Sequence, residues 1–307
     1  MAIDLEKGLI TPAASPCVAH FMGVWYVSRP PSAKNRTMAR MPARLTQHPL
    51  LQALISKKNV MIAVVLRDMR TRFFNHGFGF IIVPLWPLVH MTVLIAIHAA
   101  SGKGTPAYGE STALFYATGL VPTLTFMYVS RFMGYSAIQN RPMMAFPVVK
   151  ALDVMFGRAF LEIIASCITI TLMMTILWMT SQNPWPLDIE NAVSAYLATI
   201  FLAIGCGTVA GTLALIQPMV MTIYQLIVIC TYLSSGTMYV ASQLPDQVSS
   251  LLSYNPVLVC VEWMRTAYYE TYSDKLVDKA YLFEFAGTSL FLGLLIERMF
   301  RRQLRDA

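Results

Sequence analysis

Charge is scarce in this chain: only 13% of its 307 residues are Asp, Glu, Lys or Arg, and from Asn191 to Pro245 there is none at all. Soluble chains are about a quarter charged. Long stretches must therefore lie where ions are not solvated, which excludes an ordinary soluble domain. Paired cysteines are missing too. Cys17, Cys167, Cys206, Cys230 and Cys260 stand singly with no C-x-x-C, and they read as small apolar residues rather than as a disulfide or zinc framework. No H-E-x-x-H motif joins the histidines His20, His48, His76, His90 and His98. Gly102-Lys103-Gly104-Thr105 fails as a phosphate loop, because Ile97 occupies the place of the first glycine. No carboxylate or metal cluster that would suit a membrane-embedded transferase is visible, and the chain carries no catalytic motif. A secretory signal is not expected either, since Asp4 and Glu6 outweigh Lys7 where a basic region is needed.

What the chain has in excess is apolar surface: 56% of its residues are hydrophobic, and the mean hydropathy is +0.55. A helix needs about 20 apolar residues to cross ~30 Å of hydrocarbon. Six windows qualify: Gly77 to Ala100, Ser111 to Ser130, Ala159 to Thr180, Ala192 to Ile216, Met219 to Val240 and Ala280 to Phe300. The uncharged run from Asn191 to Pro245 would be about 80 Å long as one helix. Gln217-Pro218 is the natural break, because proline lacks the backbone donor and disfavours helix just before it. Gly207-x-x-x-Gly211, with Gly205 nearby, gives the fourth window a small face that suits either packing within the chain or a dimer contact.

The net charge of +7 follows topology rather than one basic face. Eleven Lys and Arg precede the first window, Arg131, Arg141, Lys150 and Arg158 flank the second loop, and Arg298, Arg301, Arg302 and Arg305 follow the sixth. The other loops hold only Lys103, Arg265, Lys275 and Lys279. The asymmetry places both termini in the cytoplasm and argues against nucleic acid as a partner. Residues 1–49 read as a flexible cytoplasmic tail and residues 50–307 as the membrane domain.

Two segments are neither loop nor span. Lys57 to Phe74 sets Ile62, Val65, Leu66, Met69 and Phe73 on one helical stripe, as in an amphipathic helix lying on the membrane surface. Leu244 to Tyr272 is too polar to span and too apolar to be solvated, with helix starts at Pro245 and at Asn255-Pro256. It reads as a re-entrant helical pair in which Glu262 and Arg265, one turn apart, neutralise each other. Arg158 and Glu162 suit the same pairing at a membrane boundary, which disfavours an ion-coupled relay, and no internal repeat marks a secondary transporter.

The segments LRDMRTRF (Leu66 to Phe73), NRPMMAFPVVKALDV (Asn140 to Val154), SGTMYVASQLP (Ser235 to Pro245) and YNPVLVCVEWMRTAYYE (Tyr254 to Glu270) occur in an order that resembles the permease subunit of polysaccharide-exporting ABC transporters, nearest the capsular branch. The resemblance implies an all-α membrane fold of six spans with an N-terminal interfacial helix and a periplasmic re-entrant pair between spans five and six. It implies a homodimer with two copies of a separate ATP-binding subunit. ATP and magnesium would sit on that subunit, and this chain would hold no cofactor. Lipid-linked polysaccharide would be the cargo, with periplasmic and outer-membrane export proteins left open. An O-antigen, teichoic-acid or lipo-oligosaccharide cargo fits the same architecture. By the same resemblance, Arg67, Arg70, Arg72, Asn140, Arg141, Phe146, Pro147, Lys150 and Asp153 belong to the ATPase-coupling face, and Pro245, Asn255, Pro256, Glu262 and Arg265 to the exit. Aromatic rings suit a threading sugar chain, and Trp86, Phe115, Tyr116 and Tyr128 are the candidates to line its path.

Overall fold

The computed structural model describes residues 49–73, 79–102, 105–145 and 149–300, all within the unit Pro49–Ala307. These residues form helices and turns without a strand. The helices are α1 (Pro49–Phe73), α2 (Gly79–Ala100), α3 (Thr112–Gln139), α4 (Ala151–Met179), α5 (Ile189–Ile216), α6 (Val220–Leu233), α7 (Asp246–Leu252), α8 (Pro256–Tyr268) and α9 (Lys279–Phe300). Among the described residues, four helices, α3, α4, α5 and α9, are long and apolar enough to cross a membrane.

Local chemistry sets most of the boundaries. Ser111 accepts from the Leu114 amide to open α3, and Asp188 accepts from Asn191 to open α5. Helix α5 stops at Ile216 and α6 begins at Val220, so Gln217-Pro218 is the break. Two helices outrun the windows set by charge. Helix α3 continues past Arg131 to Gln139, and the Arg131 guanidinium lies over the Phe132 ring at 4.8 Å. Helix α4 begins at Ala151, eight residues before its apolar window. A charge ends the apolar stretch, but it does not end the helix.

The window Met219 to Val240 needs correcting, since α6 ends at Leu233 after 14 residues, about 21 Å. Ser234 and Ser235 donate their hydroxyls to the carbonyls of Cys230 and Tyr232, closing the last turn. Gly236 then takes the left-handed conformation, with φ of +73°.

Of the stripe expected on α1, Ile62 and Leu66 lie on the surface, while the side chains of Met69 and Phe73 fall outside the described residues. Ile62 and Leu66 are 44% and 59% exposed, whereas Val64 and Asp68 are buried. The face toward α4 carries Val64, Val65 and Asp68, with Lys57 reaching Asp153 from its exposed edge, and the carboxylate of Asp68 is drawn in by an arginine there.

At the core, α5 lies against α3, α8 and α9. A Cβ at Gly205 would stand 2.6 Å from the Ala286 carbonyl oxygen of α9, and one at Gly211 3.2 Å from Gly134 Cα of α3. The small face of α5 is thus used within the chain, where it brings backbones together.

Candidate functional site

Two groups of predicted residues come together at opposite ends of α3. At its C-terminal end, Arg67 of α1 donates to Asn140 Oδ1 at 2.9 Å, while Asn140 Nδ2 donates to the Ser136 carbonyl at 3.0 Å. Asn140 is the C-cap of α3 and is 4% exposed. Its neighbour Arg141 donates to the Leu215 carbonyl at 2.5 Å, capping the end of α5. Asp153 accepts from the backbone amide of Lys150 at 3.2 Å, which opens α4, and lies 4.0 Å from Lys57 of α1. The side chains of Arg70 and Arg72, together with Phe146 and Pro147, fall outside the described residues.

A buried arginine that the sequence had paired only with its own helix ties this end together. Arg158, 2% exposed, bonds Glu162 one turn along α4 and stands 3.7 Å from Asp68 on α1. Its guanidinium also lies 5.1 Å from the centre of the Phe132 ring on α3. Two carboxylates on one cation, with an aromatic face beside it, let the charges stay buried. Asp68 lacks a sequence signal for this role, because its partner is 90 residues away.

At the N-terminal end of α3, Asn255 accepts from the Val257 amide at 3.0 Å with Pro256 at the first helical position, and Pro245 precedes α7. Asn255 also reaches across to the Thr231 carbonyl of α6 at 2.9 Å. Glu262 and Arg265, both 0% exposed, form the expected pair at 3.7 Å. Arg265 does more than neutralise Glu262. It donates to the carbonyls of Thr237 and Tyr239 at 3.0 Å each and lies 4.1 Å from the centre of the Phe115 ring. Tyr272 donates to Glu262 Oε1 at 3.0 Å. Gly119 makes room for the arrangement, since a Cβ there would meet Arg265 Nη2 at 3.0 Å.

The four aromatic path candidates are dispersed. Phe115 and Tyr116 are 1% and 6% exposed, one under Arg265 and the other packed edge-on against His98. Trp86 is 62% exposed on α2. Tyr128 lines a small cleft between α3 and α4 with Glu162, Ser166 and Thr169. This cleft shares Val121, Ile170 and Met173 with a neighbouring apolar cavity of about 240 Å³, bordered by Trp185, Tyr196 and Tyr268. The hydroxyl residues Ser166, Thr169 and Tyr196 carry no pattern that sequence reading would select.

No family model matches the chain. Three curated proteins are similar to it over most of their length. The polysialic acid transport protein KpsM of Escherichia coli is 28% identical over 79% of this chain and 93% of its own. The capsule polysaccharide export inner-membrane protein CtrC of Neisseria meningitidis serogroup A is 23% identical, covering 82% of this chain and 95% of its own. BexB of Haemophilus influenzae, of the same description, is 23% identical over 71% of this chain and 82% of its own. The chain is homologous to these polysaccharide transport and export proteins.

Proposed function

We propose that the chain is the inner-membrane permease of an ATP-driven exporter of lipid-linked capsular polysaccharide, working as a homodimer with two copies of a separate ATP-hydrolysing subunit. The relatives' export role supports the cargo and the location, and the long apolar helices support the membrane setting. In this reading α2 and α6 join the four long helices to make six crossings, with both termini cytoplasmic. Helix α6 covers about 21 Å of a ~30 Å core. The pair α7 and α8 then dips back into the outer leaflet to complete that layer, and the buried α8 keeps its backbone away from lipid.

The observation that carries the coupling role is the Arg67–Asn140 bond beside the Arg158 cluster. It joins the interfacial helix, the turn after α3 and the start of α4, so a push on any one of them moves the others. A partner ATPase docking on this face would thereby drive α3 and α4. Phe146 enters on its chemistry, since burying such a ring on a partner contributes roughly 1.5–3 kcal/mol, while an exposed Lys150 contact contributes less than about 1 kcal/mol.

Cells that lack the chain should lose surface polysaccharide and accumulate it inside, and the ATPase should copurify with the restored protein. Phe146→Ala should weaken copurification or uncouple hydrolysis from export, with Lys150→Ala milder. Equal and negligible effects of the two variants would remove the docking role of this loop. Export without any ATPase partner would remove the whole reading.

A further inference from the structure

A cleft of about 530 Å³ opens between α7, the turn 273–278 and the start of α9, lined among others by Asp246, Ser249, Ser253, Tyr254, Asp278 and Tyr281. None of these residues takes part in the coupling face or the Arg265 cluster. The cleft is braced on two sides. Lys275 donates to Asp246 at 2.8 Å, and the Tyr281 hydroxyl donates to the Tyr254 carbonyl at 2.6 Å, which holds the start of α9 to the turn between α7 and α8. Tyr254 itself is 74% exposed, so its ring is open to a ligand while its carbonyl is held.

The polar wall is rich in acceptors. Ser249, Ser250 and Ser253 each donate to a backbone carbonyl within α7, which leaves the lone pairs of the three hydroxyl oxygens to accept. The carboxylates of Asp246 and Asp278 accept as well. The cations nearby are already engaged: Lys275 with Asp246, and Lys279 with the face of Trp263 at 4.4 Å. Exposed Asp274 and Glu270 add negative charge beside the same turn. A ligand for this cleft needs many hydroxyl donors, an apolar face for a tyrosine ring and no negative charge.

We propose that the cleft is a saccharide subsite for a short run of uncharged pyranose units. A pyranose offers hydroxyl donors around its edge and an apolar C–H face for Tyr254, and the volume falls in the range of small-molecule sites. A polyanionic glycan meets like charge there instead. This deepens the proposed export role and rests on it, because that role brings glycan to the outer face.

The test uses the full chain with its ATPase in lipid nanodiscs. The probes are maltohexaose and a sialic acid hexamer at equal concentration, with binding read by saturation-transfer NMR and titration calorimetry. Maltohexaose should bind and the sialic acid hexamer should not. Tyr254→Ala should weaken maltohexaose binding about tenfold and Tyr254→Phe should preserve it, with thermal unfolding and ATPase copurification unchanged in both. Absent maltohexaose binding, equal binding of the charged hexamer, or unchanged affinity in Tyr254→Ala would each overturn the subsite. Since ATPase copurification is read in the same sample, loss of the subsite is distinguishable from failure of the export reading.

Discussion

Arg158 and Arg265 are both buried, both paired with acidic groups and both set against a phenylalanine ring, yet their partners differ in kind. Arg265 spends its donors on the backbone carbonyls of one loop, Thr237 and Tyr239, next to Glu262 three residues before it. Arg158 spends its charge on side chains from different helices, Asp68 on α1 and Glu162 on α4. A cation bonded to carbonyls fixes the path of a loop and has no alternative arrangement nearby. A cation shared between side chains on separate elements can redistribute when one element shifts. The Arg265 cluster is therefore a static brace, and the Arg158 cluster is suited to transmit movement.

The sharpest way to break this comparison is Arg265→Ala. It strands Glu262 in the interior and leaves two loop carbonyls without their donor, a change that costs about 3–5 kcal/mol for the lost ion pair alone. The expected result is a large fall in yield of folded protein and in thermal unfolding temperature, with Arg265→Lys only partly restoring either, because an ammonium cannot match the fork of a guanidinium. Normal stability of Arg265→Ala would show that the loop 234–240 holds its own shape.

Arg158→Ala comes next and should differ in character as well as in size. Asp68 lies on α1, which is joined to the rest by Lys57–Asp153 and Arg67–Asn140 as well, so α1 can shift outward and let Asp68 reach water. The folded protein should survive with moderately lower stability, while ATPase copurification or the coupling of hydrolysis to export drops. If stability fell as far as in Arg265→Ala with coupling intact in what remained, the Arg158 cluster would be a brace like that of Arg265.

The two clusters also differ in how far the sequence discloses them. Glu262 and Arg265 stand one turn apart behind an Asn-Pro helix start, so spacing alone brings them together. The same holds for Arg158 with Glu162. Asp68 does not follow from spacing, because α1 carries two apolar faces: Ile55, Ile62 and Leu66 on one, and Val64 and Val65 on the other. Counting apolar residues does not say which of them meets protein and which meets lipid, since both solvents favour the same side chains. The end of α6 was obscured for a related reason. Ser234 to Val240 lacks charge, and absence of charge marks depth in the membrane rather than helix, while the serine hydroxyls closing the last turn leave hydropathy almost unchanged. Aromatic path candidates chosen by type ended in four different surroundings, because burial of a ring is decided by what the neighbouring helices leave open.

The smallest effect is expected at an exposed ion pair, Lys275–Asp246, which differs from those of the two buried arginines in environment. Its nitrogen and oxygen stand 2.8 Å apart, closer than the 3.7 Å of Arg265 and Glu262, yet the side chains are 61% and 89% exposed. Water screens this pair and solvates either partner alone, so Asp246→Asn should leave thermal unfolding unchanged at neutral pH within error. The hydrogen bond and the charge of Lys275 hold the Asp246 carboxyl below the usual carboxylate range. A group depressed in the folded state contributes only above its unfolded value and loses that contribution as pH falls through the folded one. Any difference between wild type and Asp246→Asn should therefore be greatest near neutral pH, begin to fall near the unfolded value of about 4 and disappear only below the lower folded value. Asp188 offers the matching control, since hydrogen bonds from Asn191 lower its carboxyl more than the charge of Lys279 does, and added salt should affect it less than it affects what little Lys275–Asp246 contributes. A clear loss of stability in Asp246→Asn at neutral pH, persisting in high salt, would mean that distance rather than burial sets the strength of these pairs, and the contrast drawn between Arg158 and Arg265 would then need a different basis.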